Sequence, residues 1–224
     1  MPRATLLAAA TATFAGGAWA ALSPRDAGLS LLLVAAALIA FGFAWLESGP
    51  GSAKEVALVA VLAGVGAAGR VLFTPIPGVQ PLTMVAVCAG VALGPRVGFG
   101  VGATGALVSN FYLGQGVWTP WQMLAWGGCG VAGGLAAGLV RHRLALAALG
   151  FALGFAFSSV MDLWHWYSFW PHTWEALVAV YGRGIAFSVM HAVGNVVFAL
   201  AFGPELRRLL ERYGRRLRVE IAWA

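Results

Sequence analysis

The chain has 224 residues, of which 60% are hydrophobic and only 10% are charged. An ordinary soluble domain has about 25% charged residues, so this composition argues against a water-soluble fold. The net charge of +6 does not indicate a nucleic-acid partner, because the basic residues lie mostly at the ends of apolar runs instead of forming a patch. We therefore expect one membrane domain embedded in the lipid bilayer.

Eight apolar runs follow one another along the chain, and a membrane-spanning helix needs about 20 such residues. They predict an all-α integral membrane fold. The fourth run is short for a span, so we expect it to be tilted, broken or partly re-entrant, which requires that protein cover its backbone. The runs occupy about residues 5–22, 28–46, 54–73, 81–94, 97–113, 120–140, 144–164 and 176–203.

The first run also has the pattern of a secretory signal peptide. It follows Arg3 and ends in Ala18-Trp19-Ala20, in which two small residues flank one other residue, as is typical of a cleavage site. A retained helix is favoured because a second apolar run follows almost at once. Either alternative leaves the predicted orientation of the later helices unchanged.

The distribution of positive charge predicts the orientation of the chain, because Arg and Lys accumulate in cytoplasmic loops. With eight alternating helices, both termini are cytoplasmic, and the outer loops are residues 23–27, 74–80, 114–119 and 165–175. The cytoplasmic side then carries Arg3, Lys54, Arg96, Arg141, Arg143, Arg207, Arg208, Arg212, Arg215, Arg216 and Arg218.

Tryptophan is concentrated on the predicted outer side of the membrane. An interfacial belt accounts for some of these rings, but on the inner side Trp45 is the only tryptophan within an apolar run. The asymmetry favours an aromatic surface that faces a ligand. The outer residues are Trp118, Trp121, Trp164, Trp166, Trp170 and Trp174.

Polar and ionisable residues inside a membrane are costly and often mark an interior site. A structural ion pair or hydrogen bonds between helices remain the alternative for each of them. We predict that seven residues line one outward-opening cavity for a neutral or weakly charged, vitamin-like solute: Arg70, Asn110, Trp118, Trp121, Gln122, Asp162 and Arg183. Further residues predicted around this cavity are Gln115, Trp126, His165, His191 and Asn195.

In the eighth run Arg183, Phe187, His191 and Asn195 recur at every fourth position. This spacing puts them on one helical face, which we expect to point toward protein or a cavity. No second His lies at helical ligand spacing, and Cys88 and Cys129 are isolated, so neither a metal nor another cofactor is predicted.

Small residues recur every fourth position in two regions. In the later helices the glycines at 98, 102, 130, 134 and 138 predict close packing within the protein. In the third run Ala60, Gly64 and Ala68 form a small-residue ridge that could dock a separate membrane subunit. No phosphate-binding loop occurs, so energy for transport would come from an ion gradient or another polypeptide.

The stretch from residue 70 to residue 134 resembles the substrate-binding S components of energy-coupling factor (ECF) transporters, which import vitamins and metals. The likeness extends over about residues 54–203. The motifs that carry it are Arg70-Val71-Leu72-Phe73, Pro77-Gly78-Val79-Gln80-Pro81, Gly94-Pro95-Arg96-Val97-Gly98-Phe99, Val108-Ser109-Asn110-Phe111-Tyr112-Leu113-Gly114-Gln115-Gly116 and Trp118-Thr119-Pro120-Trp121-Gln122-Met123.

This resemblance implies a six-helix core preceded by two extra N-terminal transmembrane helices, which depart from the family pattern. It divides the chain into N-terminal helices at 1–50, a core at 51–203 and a basic cytoplasmic tail at 204–224. It also implies a prokaryotic plasma membrane, capture of a vitamin such as cobalamin or a related corrinoid, and no enzymatic activity. The implied partners are a membrane T component, contacted by the ridge, and two cytoplasmic ATPases.

Two other functions remain open from the sequence. A ligand-free membrane scaffold would use every polar residue for packing. An intramembrane hydrolase would need a serine activated by histidine, and the glycine-flanked position holds Thr104 instead, which leaves Ser109 as the candidate nucleophile and His191 as the candidate base.

Overall fold

A computed structural model describes residues 11–12, 27–48, 53–140 and 142–223, and its elements within these ranges are helices. The predicted first helix and its signal-peptide alternative lie outside the described residues, apart from 11–12. The helices are α1 (Ala27–Glu47), α2 (Ala53–Leu72), α3 (Leu82–Leu93), α4 (Pro95–Leu113), α5 (Thr119–Leu135), α6 (Arg143–Phe169), α7 (Trp174–Ala201) and α8 (Gly203–Trp223).

Three of these helices, α2, α6 and α7, are long and apolar enough to cross a membrane. The chain is therefore an all-helical, membrane-associated protein in the part that the structure describes. Helices α1 to α7 lie at the second to eighth predicted apolar runs. We call the end of the bundle that contains the 74–80 and 114–118 links the outer end, according to the predicted orientation.

Helix α3 lies at the centre of the bundle. Its 12 residues make a helix about 18 Å long, shorter than the roughly 30 Å hydrocarbon core. Every residue from Leu82 to Val91 is buried, so the neighbouring helices cover its backbone. This burial agrees with the expectation that a short fourth run must be covered by protein.

Close packing between helices depends on the glycines of α4 and α5. A Cβ on Gly98 would overlap the backbone of Gly130, and a Cβ on Gly102 would overlap the backbone of Trp126. Only glycine lets two helix backbones approach so closely. This agrees with the predicted packing role, except at Gly138, where a Cβ would meet nothing within 4 Å.

Helices α6 and α7 form an antiparallel hairpin at the edge of the bundle. A Cβ on Gly154 would meet the backbone of Ala192, and one on Gly184 would meet the carboxylate of Asp162. The loop predicted at 165–175 is too long, because α6 continues to Phe169 and α7 begins at Trp174. The aromatic residues 164–169 therefore lie on a helix instead of in a loop.

The basic segment expected as a tail is an amphipathic helix, α8. Leu210 is buried against the core, and Leu206 packs beside it, while Arg208 and Arg212 are exposed. The Sγ of Cys88 on α3 lies 3.8 Å from the carbonyl oxygen of Gly203 at the start of α8. Helix α8 therefore covers the inner end of α3.

Helix α1 packs on α4. The rings of Phe43 and Phe99 contact edge to face at a centroid distance of 5.9 Å. Arg96 at the start of α4 donates to the backbone carbonyl of Leu46 and forms an ion pair with Glu55 at 2.8 Å. These contacts join the inner ends of α1, α2 and α4.

Candidate functional site

Arg70 in the last turn of α2 is the centre of a polar network near the outer end. Although it belongs to an apolar helix, it is only 7% exposed. Its Nε donates to Gln80 Oε1 at 2.9 Å, and its Nη1 donates to Ser109 Oγ at 2.7 Å and to Asn110 Oδ1 at 2.6 Å. A longer bond of 3.4 Å joins Nη2 to Gln122 Oε1. One guanidinium on α2 thus contacts residues of α4, of α5 and of the link between α2 and α3.

The partners of Arg70 are neutral amides and hydroxyls. In the described part of the chain the guanidinium has no carboxylate within ion-pair distance. A buried charge costs several kcal/mol unless it is paired or well hydrogen-bonded, so the amide and hydroxyl oxygens offset part of this cost. The network keeps a net positive charge in an apolar bundle.

A second layer of hydrogen bonds ties α4 to α5. The Asn110 side-chain amide donates to Thr119 Oγ1 at 3.0 Å and to Gln122 Oε1 at 2.8 Å. Thr119 in turn donates to Gln115 Oε1 at 2.9 Å, and Gln115 Nε2 donates to the carbonyl of Leu107 at 3.1 Å. Thr119 therefore connects the 114–118 link to Asn110, which contacts Arg70.

Trp126 extends the network toward the centre of the bundle. The Arg70 guanidinium lies 4.5 Å from the centre of its ring, a cation–π geometry. Its indole Nε1 donates to Thr83 Oγ1 at 2.9 Å, and Thr83 Oγ1 lies 2.7 Å from His191 Nε2. Phe157 contacts the rings of both Trp126 and His191, at 4.2 and 4.8 Å. A continuous chain of contacts thus runs from α2 through α5 and α3 to α7.

The structure joins three of the seven predicted cavity residues directly: Arg70, Asn110 and Gln122 hydrogen-bond to one another. Of the residues predicted around them, Gln115, Trp126 and His191 belong to the same network. Sequence reasoning missed Gln80, Thr83, Thr119 and Phe157. One available signal was that Thr83 is the only hydroxyl-bearing residue in the short apolar run.

Asp162 and Arg183 lie together on the α6–α7 hairpin and apart from this network. Asp162 faces Gly184, while the Arg183 guanidinium lies 5.6 Å from the centre of the Trp170 ring. No hydrogen bond or ring contact among the described residues joins either of them to Arg70. The seven residues predicted to line one cavity therefore include two separate clusters, one around Arg70 and one on the hairpin.

The predicted aromatic anchors lie at the edges of these clusters. Trp118 precedes the first turn of α5 and is 39% exposed, and Trp121 is half-buried one turn later. His165 contacts the rings of Phe169 and Trp170 at 5.4 and 6.4 Å. These rings provide exposed aromatic surface at the outer end.

The stripe on α7 is buried only in its inner half. His191 and Asn195 have no exposed surface, whereas Arg183 and Phe187 are exposed, which differs from the expectation that the whole stripe is covered. Asn195 donates to the carbonyl of Gly150 at 3.0 Å. His191 Nδ1 and Asn195 Oδ1 have no hydrogen-bond partner, so this part of the α6–α7 interface contains unmatched polar atoms.

Ser109 and His191, the pair that a hydrolase would need, have other partners. Ser109 Oγ accepts from Arg70 and donates to the Ala106 carbonyl at 3.0 Å, and His191 Nε2 contacts Thr83. This arrangement lacks the serine–histidine hydrogen bond of an activated nucleophile. Within the described ranges, no three His, Cys, Asp or Glu residues lie close enough together to hold a metal ion.

The small-residue ridge of α2 points away from the bundle. Ala60, Gly64 and Ala68 are all exposed, and a Cβ on Gly64 would meet nothing within 4 Å. The ridge is thus not buried against another described helix. It presents a smooth surface to lipid or to another protein.

Comparisons with known proteins identify a family but no activity. No curated protein and no solved structure matches the chain. A family model matches residues 51–211, which include α2 to α7, the Arg70 network and the first part of α8. The chain belongs to DUF6580, a family of unknown function.

Proposed function

We propose that this chain is the membrane-embedded S component of an ECF-type importer and captures a vitamin at the outer face. In this proposal α2 to α7 are the six-helix binding core, and α1 with the preceding apolar run are the extra N-terminal helices. The best-matching substrate class is cobalamin or a related corrinoid. This chain binds the solute, and other polypeptides supply the energy.

The observation that carries the proposal is the convergence of Arg70, Asn110 and Gln122 near the outer end. They come from three helices whose other residues are mostly apolar. Membrane proteins rarely keep such groups together unless they line a solute pathway or pair with one another. Amides and a guanidinium orient polar edges of a ligand through hydrogen bonds.

The aromatic residues beside this network supply the other part of a binding site. Trp118 immediately precedes α5, and Trp121 lies in its first turn beside Gln122. Trp118 is 39% exposed. A ring system bound there would contact indole faces and reach the amide layer with its polar groups. This mixture suits a bulky amphipathic solute better than an inorganic ion.

The exposed ridge at Ala60, Gly64 and Ala68 supports a helix-docking role. Small residues at this spacing let a second helix approach closely, and the ridge has no such neighbour among the described helices. We propose that it contacts the T component, whose two cytoplasmic ATPases drive release of the solute.

A ligand-free scaffold is the second candidate, and the saturation of Arg70 favours it. Four of the hydrogen bonds of this guanidinium go to protein oxygens, and the side chain is almost fully buried. Under this alternative the network holds α2, α4 and α5 together and no solute enters. Identification of small molecules that co-purify with the protein distinguishes the two candidates.

The direct test is binding of cobalamin and other vitamins to the purified protein and to its Trp121→Ala and Gln122→Ala variants. An aromatic contact contributes on the order of 1 kcal/mol beyond area burial, and a hydrogen bond contributes about 1 kcal/mol, so each variant should bind about fivefold more weakly. Trp45→Ala is the matched control, because Trp45 is also partly exposed, at 41%, but lies at the opposite end.

Thermal stability is measured in parallel, since Gln122 also accepts hydrogen bonds from Arg70 and Asn110. If a vitamin that binds the parent protein binds both variants equally well, the site lies elsewhere. If the parent protein binds no vitamin and no small molecule co-purifies, the scaffold function replaces this proposal.

A further inference from the structure

A cavity of about 390 Å³ lies at the opposite end from the Arg70 network, between the start of α6 and the start of α8. Leu146 forms its apolar floor and is 2% exposed, and Pro204 forms part of its wall. The rest of the lining is charged or ionisable: His142, Arg143, Arg207, Arg208 and Glu211. The cavity combines a fixed apolar base with a basic rim.

Arg207 is held rigidly at the edge of this cavity. Its Nε forms an ion pair with Glu211 at 2.6 Å, and its Nη1 donates to the backbone carbonyl of Val140. Within the described ranges, neither of these bonds uses the second terminal nitrogen of the guanidinium, which can donate to an incoming acceptor. Because the Arg207 side chain is already fixed, binding of a ligand to it loses less conformational entropy than binding to a mobile arginine.

Positive charge exceeds negative charge around the cavity. Three guanidiniums line it against the single carboxylate of Glu211, which is already paired with Arg207. Arg143 and Arg208 are exposed, and neither has an ion-pair partner among the described residues. The first turn of α6 also adds the partial positive charge of a helix N-terminus. An anion would therefore be attracted to this cavity.

The cavity lies at the level where the apolar helices end. Helix α6 begins at Arg143, and α7 ends at Ala201, separated from α8 by Phe202 alone. A headgroup in the cavity would thus lie at the membrane–water boundary, with acyl chains free to extend along the α6–α7 hairpin. A second basic cavity, lined by Arg208, Glu211, Arg212 and Arg215, lies beside it.

We propose that this cavity binds a phosphate-bearing anion. Arginine matches the geometry of phosphate oxygens through paired N–H donors. Basic pockets of this kind, at the boundary of a membrane, recognise the headgroups of anionic lipids. Free phosphate has the same chemistry, so the experiment separates the two sources. The proposal is independent of the vitamin-binding function.

The test uses the full chain in detergent and measures binding of phosphatidylglycerol, phosphatidylcholine and inorganic phosphate by native mass spectrometry and calorimetry. The expected result is that the parent protein prefers phosphatidylglycerol over the neutral lipid. The Arg143→Gln/Arg208→Gln variant should bind it roughly twentyfold more weakly, since each basic residue near an anionic surface contributes about a fivefold factor.

The matched control compares two single variants, Arg143→Gln and Arg216→Gln. Each removes one charge from an exposed position, but Arg216 lines neither basic cavity, so Arg143→Gln should weaken binding about fivefold and Arg216→Gln should leave it nearly unchanged. If inorganic phosphate displaces the lipid, the ligand is free phosphate. If the lipid stays bound in the presence of inorganic phosphate, the ligand is the lipid headgroup. Equal losses in the Arg143→Gln and Arg216→Gln variants, no loss in the Arg143→Gln/Arg208→Gln variant, or equal binding of the neutral lipid would overturn the proposal. Arg143→Glu alone, at an exposed position, provides a second test if the double variant is unstable.

Discussion

Thr83 is the residue at which three helices share one hydroxyl group. It accepts the indole N–H of Trp126 and contacts the imidazole of His191, and it has no exposed surface. A buried polar atom that loses its partner costs about 1–3 kcal/mol. The stability of the centre of the bundle should therefore depend on the Thr83 hydroxyl group more than on the volume of this side chain.

We predict that Thr83→Val lowers the free energy of unfolding by about 1–3 kcal/mol. The substitution nearly preserves volume, so the loss comes from the unsatisfied nitrogens of Trp126 and His191. Thermal unfolding in detergent measures the effect. Ser188→Ala is the control, because its buried hydroxyl donates to the Gly184 carbonyl of its own helix and joins no other helix in the described part of the chain. Equal effects of both changes would contradict the shared-hydroxyl interpretation.

At the scale of single residues, the sequence identified part of the network. Arg70, Asn110 and Gln122 are conspicuous because long polar side chains are rare in apolar helices. Thr83 and Ser109 are less conspicuous, since a small hydroxyl can satisfy itself on its own helix. Only the packing of α3 against α5 and α7 gives Thr83 its partners.

At the scale of helices, the approach of α4 and α5 depends on glycine at particular positions. A Cβ on Gly130 would overlap the backbone of Gly98, whereas Gly128, two residues earlier on α5, is exposed with nothing within 4 Å of its Cβ position. The two glycines therefore differ in packing but share a helix.

We predict that Gly130→Ala destabilises the protein by about 1–3 kcal/mol through overpacking. Gly128→Ala should be neutral or slightly stabilising, since alanine favours the helix by about 1 kcal/mol over glycine. Thermal unfolding of the two variants side by side measures the difference. An equal loss in both would mean that α4 and α5 do not approach as closely as the structure shows.

The ridge of α2 leads to a prediction about partners that rests on the proposed function. Replacing Ala60, Gly64 and Ala68 with leucine should abolish co-purification with an ATPase-bearing complex, because bulky side chains prevent close helix contact. Solute binding should remain nearly intact. Val61→Leu/Val65→Leu changes neighbouring exposed positions of the same helix and serves as the control. Loss of solute binding with the complex preserved would mean that the ridge faces inward in the membrane.

At the scale of the whole molecule, the asymmetry of charge predicts that α8 and the start of α6 face the cytoplasm and that the α6–α7 link faces outward. The two native cysteines are buried, so cysteines introduced at exposed positions report accessibility. We expect an impermeant thiol reagent to label His172→Cys in intact cells. It should label His142→Cys and Arg212→Cys only after the membrane is permeabilised. Labelling of His142→Cys in intact cells would reverse the predicted orientation.

The sequence by itself determined the helical, membrane-associated class of this protein and the approximate positions of α1 to α7. Those properties depend on the length and hydropathy of continuous runs, which are local quantities. The tertiary structure alone decided that Arg70 meets Asn110 and Gln122, while Asp162 and Arg183 remain on a separate hairpin. It also decided that the basic C-terminal segment packs as α8 over the inner end of α3. These arrangements depend on which helix faces touch and in what register, and the spacing of residues along one helix does not contain that information.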